Sequence, residues 1–197
     1  MKHPKIHLLL SSLLLLAAGC ATTPNVTRVE AGGPTAVTTM GVNVQDFKNA
    51  AGQMVSTLLN SGALDKVSGR KAVILVGKIV NDSGEMFDTD QITFKITTDL
   101  MNSGKTQTTT TFGKNAQDKI AGGVADERRF LQDDKGQGLL PDFSLSGKIL
   151  RTDARAGRTR EVSYTFQLYL TDTASGLAVW QNETVVSKQG TRPGVGF

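Results

Sequence analysis

Ser68 and Lys71 have the S-x-x-K spacing in which a lysine can activate a serine hydroxyl for nucleophilic attack. That chemistry needs the serine at the start of a helix, together with a Ser-x-Asn motif and a Lys-Thr-Gly strand. The sequence contains neither companion motif, and Ser68 falls in a predicted loop before a buried strand. We therefore interpret this spacing as a coincidence.

Two pairs of aspartates could support acid–base catalysis or bind a hard metal ion, namely Asp88 with Asp90 and Asp133 with Asp134. Asp88 is better explained as the cap of a helix, and the adjacent Asp133 and Asp134 are expected in a solvated loop. The segment Gly136-Gln137-Gly138 lacks the final glycine and the preceding strand of a phosphate-binding loop. None of these patterns predicts a catalytic site.

Both histidines, His3 and His7, lie within the first 19 residues, and Cys20 is the single cysteine. Once residues 1–19 are removed, the chain has no histidine and one thiol. This excludes Ser–His and Cys–His nucleophile pairs, histidine general bases and His/Cys zinc sites. Carboxylate, lysine, tyrosine and serine–lysine chemistry remain open, including a hydrolase that uses Asp88, Asp133 and Asp134, and we predict no metal site and no cofactor.

The first 19 residues have the organisation of a secretory signal peptide, with a basic start, a short apolar run and small residues before a cleavage point. Residues 16–20, Leu-Ala-Ala-Gly-Cys, resemble the bacterial lipobox, which implies cleavage between Gly19 and Cys20 and lipid attachment to Cys20. The segment departs from the lipobox at Ala17, where leucine is usual. The alternative is an ordinary signal peptide followed by a chance cysteine. Ala21, in place of an aspartate, implies an anchor in the outer membrane, on the periplasmic face.

Charge gives little indication of a nucleic-acid partner. The formal net charge of +4 falls to +2 when Lys2 and Lys5 leave with the signal peptide. No basic cluster with aromatic or motif support remains, so no nucleic acid is expected. Residues 20–40 are predicted to be the lipidated cysteine and a flexible tether that spans at most ~70 Å. Residues 41–190 are predicted to form one domain, expected to be monomeric, followed by a tail over 191–197.

The first part of the domain shows helical periodicity around one apolar strand. Asn43 is predicted to cap a helix with a 3.6-residue apolar period that ends at Asn60-Ser61-Gly62. Residues 72–76 are continuously apolar, which is typical of a strand buried on both faces. Asp88 and Gln91 resemble a capping box that starts a second helix, although the alternating residues 92, 94 and 96 also suit a strand.

The second part favours strands. Residues 106–112 form a short polar candidate for an edge strand, and Asn115 could cap a helix that runs to about Leu131. Three alternating segments follow, near 143–149, 162–170 and 178–186, and they predict an antiparallel meander with one buried face. The expected fold class is α/β: a single mixed sheet with a C-terminal antiparallel meander and helices packed against it.

Two groups of polar residues are candidates for partner binding. Arg151, Arg155, Arg158 and Arg160 surround a predicted hairpin loop over 153–159. They are either a solvated hairpin tip or a surface that docks onto an acidic partner, because arginine forks grip carboxylates. The segment Asn81-Asp82-Ser83 is either ordinary turn chemistry or a contact loop at the end of a central strand.

Several segments in order resemble the LpoB family of penicillin-binding-protein activators over about residues 41–190. They are the N-terminal lipobox, the helix before the first strand, and the stretches 73–83, 90–93, 100–105, 142–149 and 173–180. The resemblance implies an outer-membrane lipoprotein that binds a class A penicillin-binding protein and activates peptidoglycan synthesis. It also implies a small α/β fold without catalytic activity.

Two departures from the family pattern stand out. The tether is short, with only Pro24 and Pro34, whereas the best-known members carry a long, proline-rich one. The arginine-bearing hairpin matches no family motif that can be transferred. The alternative function is a structural or assembly lipoprotein related to curli-secretion components, but such a pore needs additional amphipathic strands that this chain lacks.

Overall fold

A computed structural model describes residues 41, 43–111, 117–131 and 140–191. Within these residues three helices and five strands follow one another along the chain. In order, they are α1 (Val44–Asn60), β1 (Ala72–Asp82), α2 (Asp90–Asn102), β2 (Thr106–Thr108), α3 (Lys119–Leu131), β3 (Phe143–Ala156), β4 (Thr159–Asp172) and β5 (Ala178–Thr191). The predicted signal peptide, Cys20, the predicted tether, Asn115, the Asp133–Asp134 pair, the segment 136–138 and the tail beyond Thr191 lie outside the described residues.

The five strands form one mixed sheet in the order β2-β1-β3-β4-β5. β1 pairs in parallel with both β2 and β3, and β3, β4 and β5 pair antiparallel. α1 contacts β4 and β5, while α2 contacts β1 and β2, and both helices contribute to the hydrophobic core on that face. The α/β class, the mixed sheet and the C-terminal meander predicted from sequence are confirmed.

Local sequence explains where α1 begins and ends. The Asn43 side chain accepts a hydrogen bond from the backbone N–H of Asp46, and the Asp46 carboxylate accepts one from the N–H of Asn43. This reciprocal capping box satisfies two donors at the helix start. The helix ends at Asn60, and Gly62 follows at a φ of 77°, which glycine adopts without strain. The predicted boundaries of this helix are confirmed.

The second predicted helix is present, but its start differs from the prediction. α2 begins at Asp90, its N-cap is Thr89, and Thr89 makes no side-chain capping bond. Asp88 lies one residue earlier and accepts from the N–H of Asp90 at 2.8 Å, so the capping box with Gln91 was wrong. Ile92, Ile96 and Leu100 are fully buried. Apolar residues spaced four positions apart therefore form a helix here, although the alternation of residues 92, 94 and 96 also suited a strand.

The remaining boundaries differ from the predictions in length. The edge strand β2 covers only three residues, although its edge position is confirmed. α3 starts at Lys119, and the Asp118 carboxylate accepts from the N–H of Ala121 at 2.8 Å, which is the role of an N-cap. The predicted hairpin loop over 153–159 was wrong, because β3 and β4 stay paired up to Ala156 and Thr159 and leave a two-residue turn.

Gly147 marks the tightest point of the sheet. β1 and β3 shift register between Val76 and Ile79, so a bulge lies beside Gly147. A Cβ at this position would lie 2.6 Å from Cδ2 of Leu168 and closer still to the backbone oxygen of Gln167. The close approach of β1, β3 and β4 here therefore requires the absence of a side chain.

Two aspartates attach the loop before β1 to the sheet. Asp142 accepts two hydrogen bonds from Arg70, at 2.6 and 2.7 Å, and one from the N–H of Val73. The nearly inaccessible Asp172 accepts from Lys66 and from the N–H groups of Ala174 and Ser175, both at 2.9 Å. The Arg70 guanidinium lowers the pKa of Asp142, and the Lys66 ammonium lowers the pKa of Asp172 to about 2.

The lowered pKa of Asp172 predicts a loss of stability in acid. A carboxylate whose pKa falls from 3.8 to about 2 on folding contributes stability that is complete above pH 3.8 and is lost as pH falls towards 2. We expect Asp172→Asn to lower the melting temperature at pH 6 and to lower it much less at pH 2. Thermal melts across this range measure the effect, with the exposed Asp82→Asn as the control. A deficit that is equal at both pH values would contradict the assignment.

Candidate functional site

The β3–β4 hairpin extends beyond the end of its neighbour β1. The last β1–β3 pair joins Asp82 to Leu150, whereas the β3–β4 pairing continues to Ala156 and Thr159. We name residues 151–162 the arginine arm. β5 pairs with its second strand as far as Thr159 and Thr191. The arm is therefore a continuation of the sheet, three strands wide, rather than a loose loop.

Strand alternation places most of the arm's charges on one face. Arg151 pairs with Tyr164, Asp153 with Val162, and Arg155 with Arg160. Directly paired residues of an antiparallel sheet share a face, and Tyr164 and Val162 are buried in the core. The charged pairs thus continue the helix-covered face of the sheet past the end of its core.

Glu85 connects the two groups of residues that the sequence singled out. Its Oε1 accepts from Nη1 of Arg151 at 2.9 Å and from the hydroxyl of Tyr164. Its carbonyl accepts from the Asn81 side chain at 2.7 Å, and its N–H donates to Oγ of Ser83. The turn after β1 and the base of the arm therefore form one hydrogen-bonded unit.

The residues of the predicted turn have different roles. The Asn81 side chain accepts from the backbone N–H and the hydroxyl of Ser83, at 3.2 and 2.6 Å, which is an Asx turn. Ser83 is buried, whereas Asp82 is exposed. Turn chemistry is thus the structural role of Asn81 and Ser83, and Asp82 is the member that a partner can reach.

Asp153 holds two of the four arginines. It accepts from Nε of Arg151 at 2.7 Å and from Nη2 of Arg160 at 2.6 Å. These hydrogen bonds, first from Arg151 and then from Arg160, lower the pKa of Asp153 to about 2. Arg151 also lies 5.9 Å from the ring centre of Tyr164, so its guanidinium is fixed on three sides.

Arg155 and Arg158 are the exposed cations of the arm. Arg158 lies in the turn beside Gly157, whose φ of 57° suits glycine in a tight hairpin. Within the described residues neither arginine forms an ion pair. The arm, residues 151–162, contains four arginines, one aspartate and one glutamate, so its formal charge is +2, and the Glu85 contact reduces it to +1.

This arrangement presents guanidinium groups on a hydrogen-bonded framework. Fixed and free guanidinium groups on a rigid strand pair can form bidentate contacts with carboxylates. Among the described residues no group of three or more His, Cys, Asp or Glu side chains could hold a metal ion. Ser68 lies in the loop before β1, as predicted, where its neighbour Arg70 binds Asp142.

Sequence reasoning found the arginines but missed the residues that position them. Neither Glu85 nor Asp153 was singled out, although each organises part of the site. Tyr164 carried a usable signal, because a tyrosine on the buried side of an alternating strand needs a polar partner for its hydroxyl. Its partner is 79 residues away in sequence, and nothing local to Glu85 indicates the contact.

The fold and the arm define a small α/β domain with a basic projection at one end of its sheet. The sequence matches the family described as "Peptidoglycan-synthase activator LpoB" over residues 46–186. This chain therefore belongs to the LpoB family of peptidoglycan-synthase activators, and the family resemblance of the sequence is confirmed.

Solved structures with similar folds include two LpoB C-terminal domains. The domain from Salmonella enterica is 16% identical to this chain. The match covers 72% of this chain and 98% of that domain, with a TM-score of 0.45. The domain from Escherichia coli is 17% identical. The match covers 73% of this chain and 99% of that domain, with a TM-score of 0.46. Lipoprotein GNA1162 from Neisseria meningitidis is 14% identical. The match covers 63% of this chain and 88% of that protein's chain, with a TM-score of 0.39. No curated protein matches the chain.

In the part of the chain that the structure describes, no helix is both long and apolar enough to cross a membrane.

Proposed function

We propose that this chain is an outer-membrane lipoprotein that binds a class A penicillin-binding protein and activates peptidoglycan synthesis without catalytic activity of its own. Family membership supports activation of a peptidoglycan synthase. The observation that carries the choice of surface is the arginine arm, with Arg155 and Arg158 exposed on a framework fixed by Glu85 and Asp153. An acidic surface on the synthase is its natural complement.

The membrane location rests on the N-terminal sequence. Cleavage between Gly19 and Cys20, with lipid attached to Cys20, would anchor the domain through a tether of about 20 residues. Ala21 after the cysteine favours the outer membrane, on the periplasmic face. Mass spectrometry of the mature N-terminus tests this assignment, and a free thiol at Cys20 would contradict it.

Charge reversal in the arm should weaken binding to the synthase. We expect Arg155→Glu combined with Arg158→Glu to raise the Kd by about 10- to 100-fold, because attraction to an acidic surface becomes repulsion. Stimulation of glycan-strand synthesis should fall in parallel at subsaturating concentrations. The measurement uses the full lipoprotein in detergent with purified class A synthase.

A matched control separates this local effect from net charge. Lys71→Glu combined with Lys78→Glu makes the same change in charge at two exposed positions outside the arm. We expect the control to bind the synthase almost as the wild type does. The affinity of the arm variant should no longer depend on salt concentration. Equal weakening by both double variants would contradict docking through the arm.

A further inference from the structure

The face of the sheet opposite α1 and α2 carries an open cleft of about 320 Å³, lined by Gln167, Tyr169, Gln181, Asn182 and Glu183. This volume is at the lower end of the range for small-ligand sites, about 300–1,000 Å³. Gln167 pairs with Glu183, and Tyr169 pairs with Gln181, across β4 and β5. These two cross-strand pairs alternate with the buried Leu168 and Leu170, so they point away from the core.

Hydrogen bonds fix the orientation of the cleft's polar groups. The Tyr169 hydroxyl donates to Oε1 of Gln167 at 2.9 Å, and Nε2 of Gln167 donates to Oε2 of Glu183 at 3.1 Å. The exposed Gln181 amide can both donate and accept beside this chain. A ligand would therefore meet preorganised donors and acceptors next to a half-buried aromatic ring.

The composition of the cleft selects the chemistry of its ligand. The lining contains one carboxylate and no cation, so an anion would be repelled by Glu183. Lys148, directly opposite Gln167 in β3, brings a compensating charge to the same face and disfavours a cation. Amides and a tyrosine suit a neutral ligand with many hydroxyl and acetamido groups and an apolar C–H face.

We propose that this cleft binds a chain of N-acetylated amino sugars, such as the glycan strand of peptidoglycan. The choice of that glycan rests on the proposed function, while the sugar chemistry rests on the cleft. The cleft and the charges of the arginine arm occupy opposite faces of the sheet. One molecule can therefore hold a glycan strand and a synthase at the same time.

Two probes test the site: purified peptidoglycan sacculi in a cosedimentation assay, and soluble N-acetylglucosamine tetramer as competitor. We expect the full lipoprotein in detergent to sediment with sacculi and to be released by the tetramer. Gln181→Ala combined with Glu183→Ala should weaken binding about tenfold, the loss expected for two ordinary hydrogen bonds. Gln189→Ala, at another exposed outer-face position of β5, is the matched control and should bind as the wild type does.

The outcomes separate this site from the proposed function. Failure of the wild type to bind sacculi, equal binding by the double variant, or equal loss in Gln189→Ala would overturn the cleft assignment. Thermal melts check folding, and the single variant Gln181→Ala replaces the double variant if the latter melts early. Stimulation of purified synthase is measured separately and should be unchanged in the cleft variants. If the wild type does not stimulate the synthase, the activator role is rejected. That result does not contradict the sugar-binding site.

Discussion

Gly147→Ala is expected to destabilise the domain by about 3 kcal/mol, near the upper end for overpacking in a well-packed core. The added methyl would collide with the backbone oxygen of Gln167 and lie 2.6 Å from Cδ2 of Leu168. Relief would require β3 and β4 to separate at the centre of the sheet. Gly147 lies between the core residues Leu145 and Ile149, close to the start of the arm at Arg151, so separation would also disturb the arm's framework.

Urea unfolding of the wild type and the variant measures the difference directly. Gly123→Ala is the matched control, because it makes the same chemical change in α3, where a new Cβ would meet nothing within 4 Å. We expect this control to be neutral or slightly stabilising, since alanine is favoured over glycine in helices. If the Gly147→Ala variant is as stable as the wild type, β3 and β4 must lie further apart at Gly147 than the structure shows.

The second large effect is expected at Phe47, whose side chain is fully buried. Its ring stacks on Phe87 at 4.9 Å between centroids and meets the rings of Tyr164 and Phe166 edge-on, at 5.9 and 6.4 Å. Phe47→Ala should cost about 3–5 kcal/mol, because both the transfer free energy and the aromatic contacts are lost. Tyr164 should then move, and the bond from its hydroxyl to Glu85 should weaken.

Two measurements follow from this coupling between the core and the site. Chemical denaturation gives the change in free energy of unfolding, and Phe94→Ala, at a position 73% exposed on α2, should change it little. At temperatures where Phe47→Ala remains folded, its Kd for the synthase should still be higher than that of the wild type. Wild-type affinity in the folded variant would show that the arm is independent of the aromatic cluster.

Periodicity and capping residues made much of the fold predictable. The apolar spacing of α1, together with Asn43 and Gly62, gave both of its ends correctly. The alternation of apolar and polar residues predicted the three-stranded meander but not the full length of its strands. The arm's residues 151–156 include no large apolar side chain and are mostly exposed, so they carry no alternation between core and solvent. Pairing with β4 keeps them extended, and that long-range contact leaves no local trace.

The candidate site was predictable only as a set of residue types. Four arginines close together in sequence indicated a basic surface, but Asp153 and Glu85 determine which of them remain exposed. The aspartates Asp142 and Asp172 were missed for the same reason, since their partners lie 72 and 106 residues away. Ion pairs across such separations depend on topology, which single-residue patterns do not encode.

Lys188 gives the edge of the sheet a protection against aggregation. β5 is a 14-residue edge strand, long enough to recruit a strand from another molecule. Its Lys188 points towards the helices, where it forms an ion pair with Asp46 at 2.7 Å and donates to the carbonyl of Gly41. An incoming strand would have to bury this ammonium group beside its own side chains. The charge thus discourages fibre-like stacking at high local protein concentration.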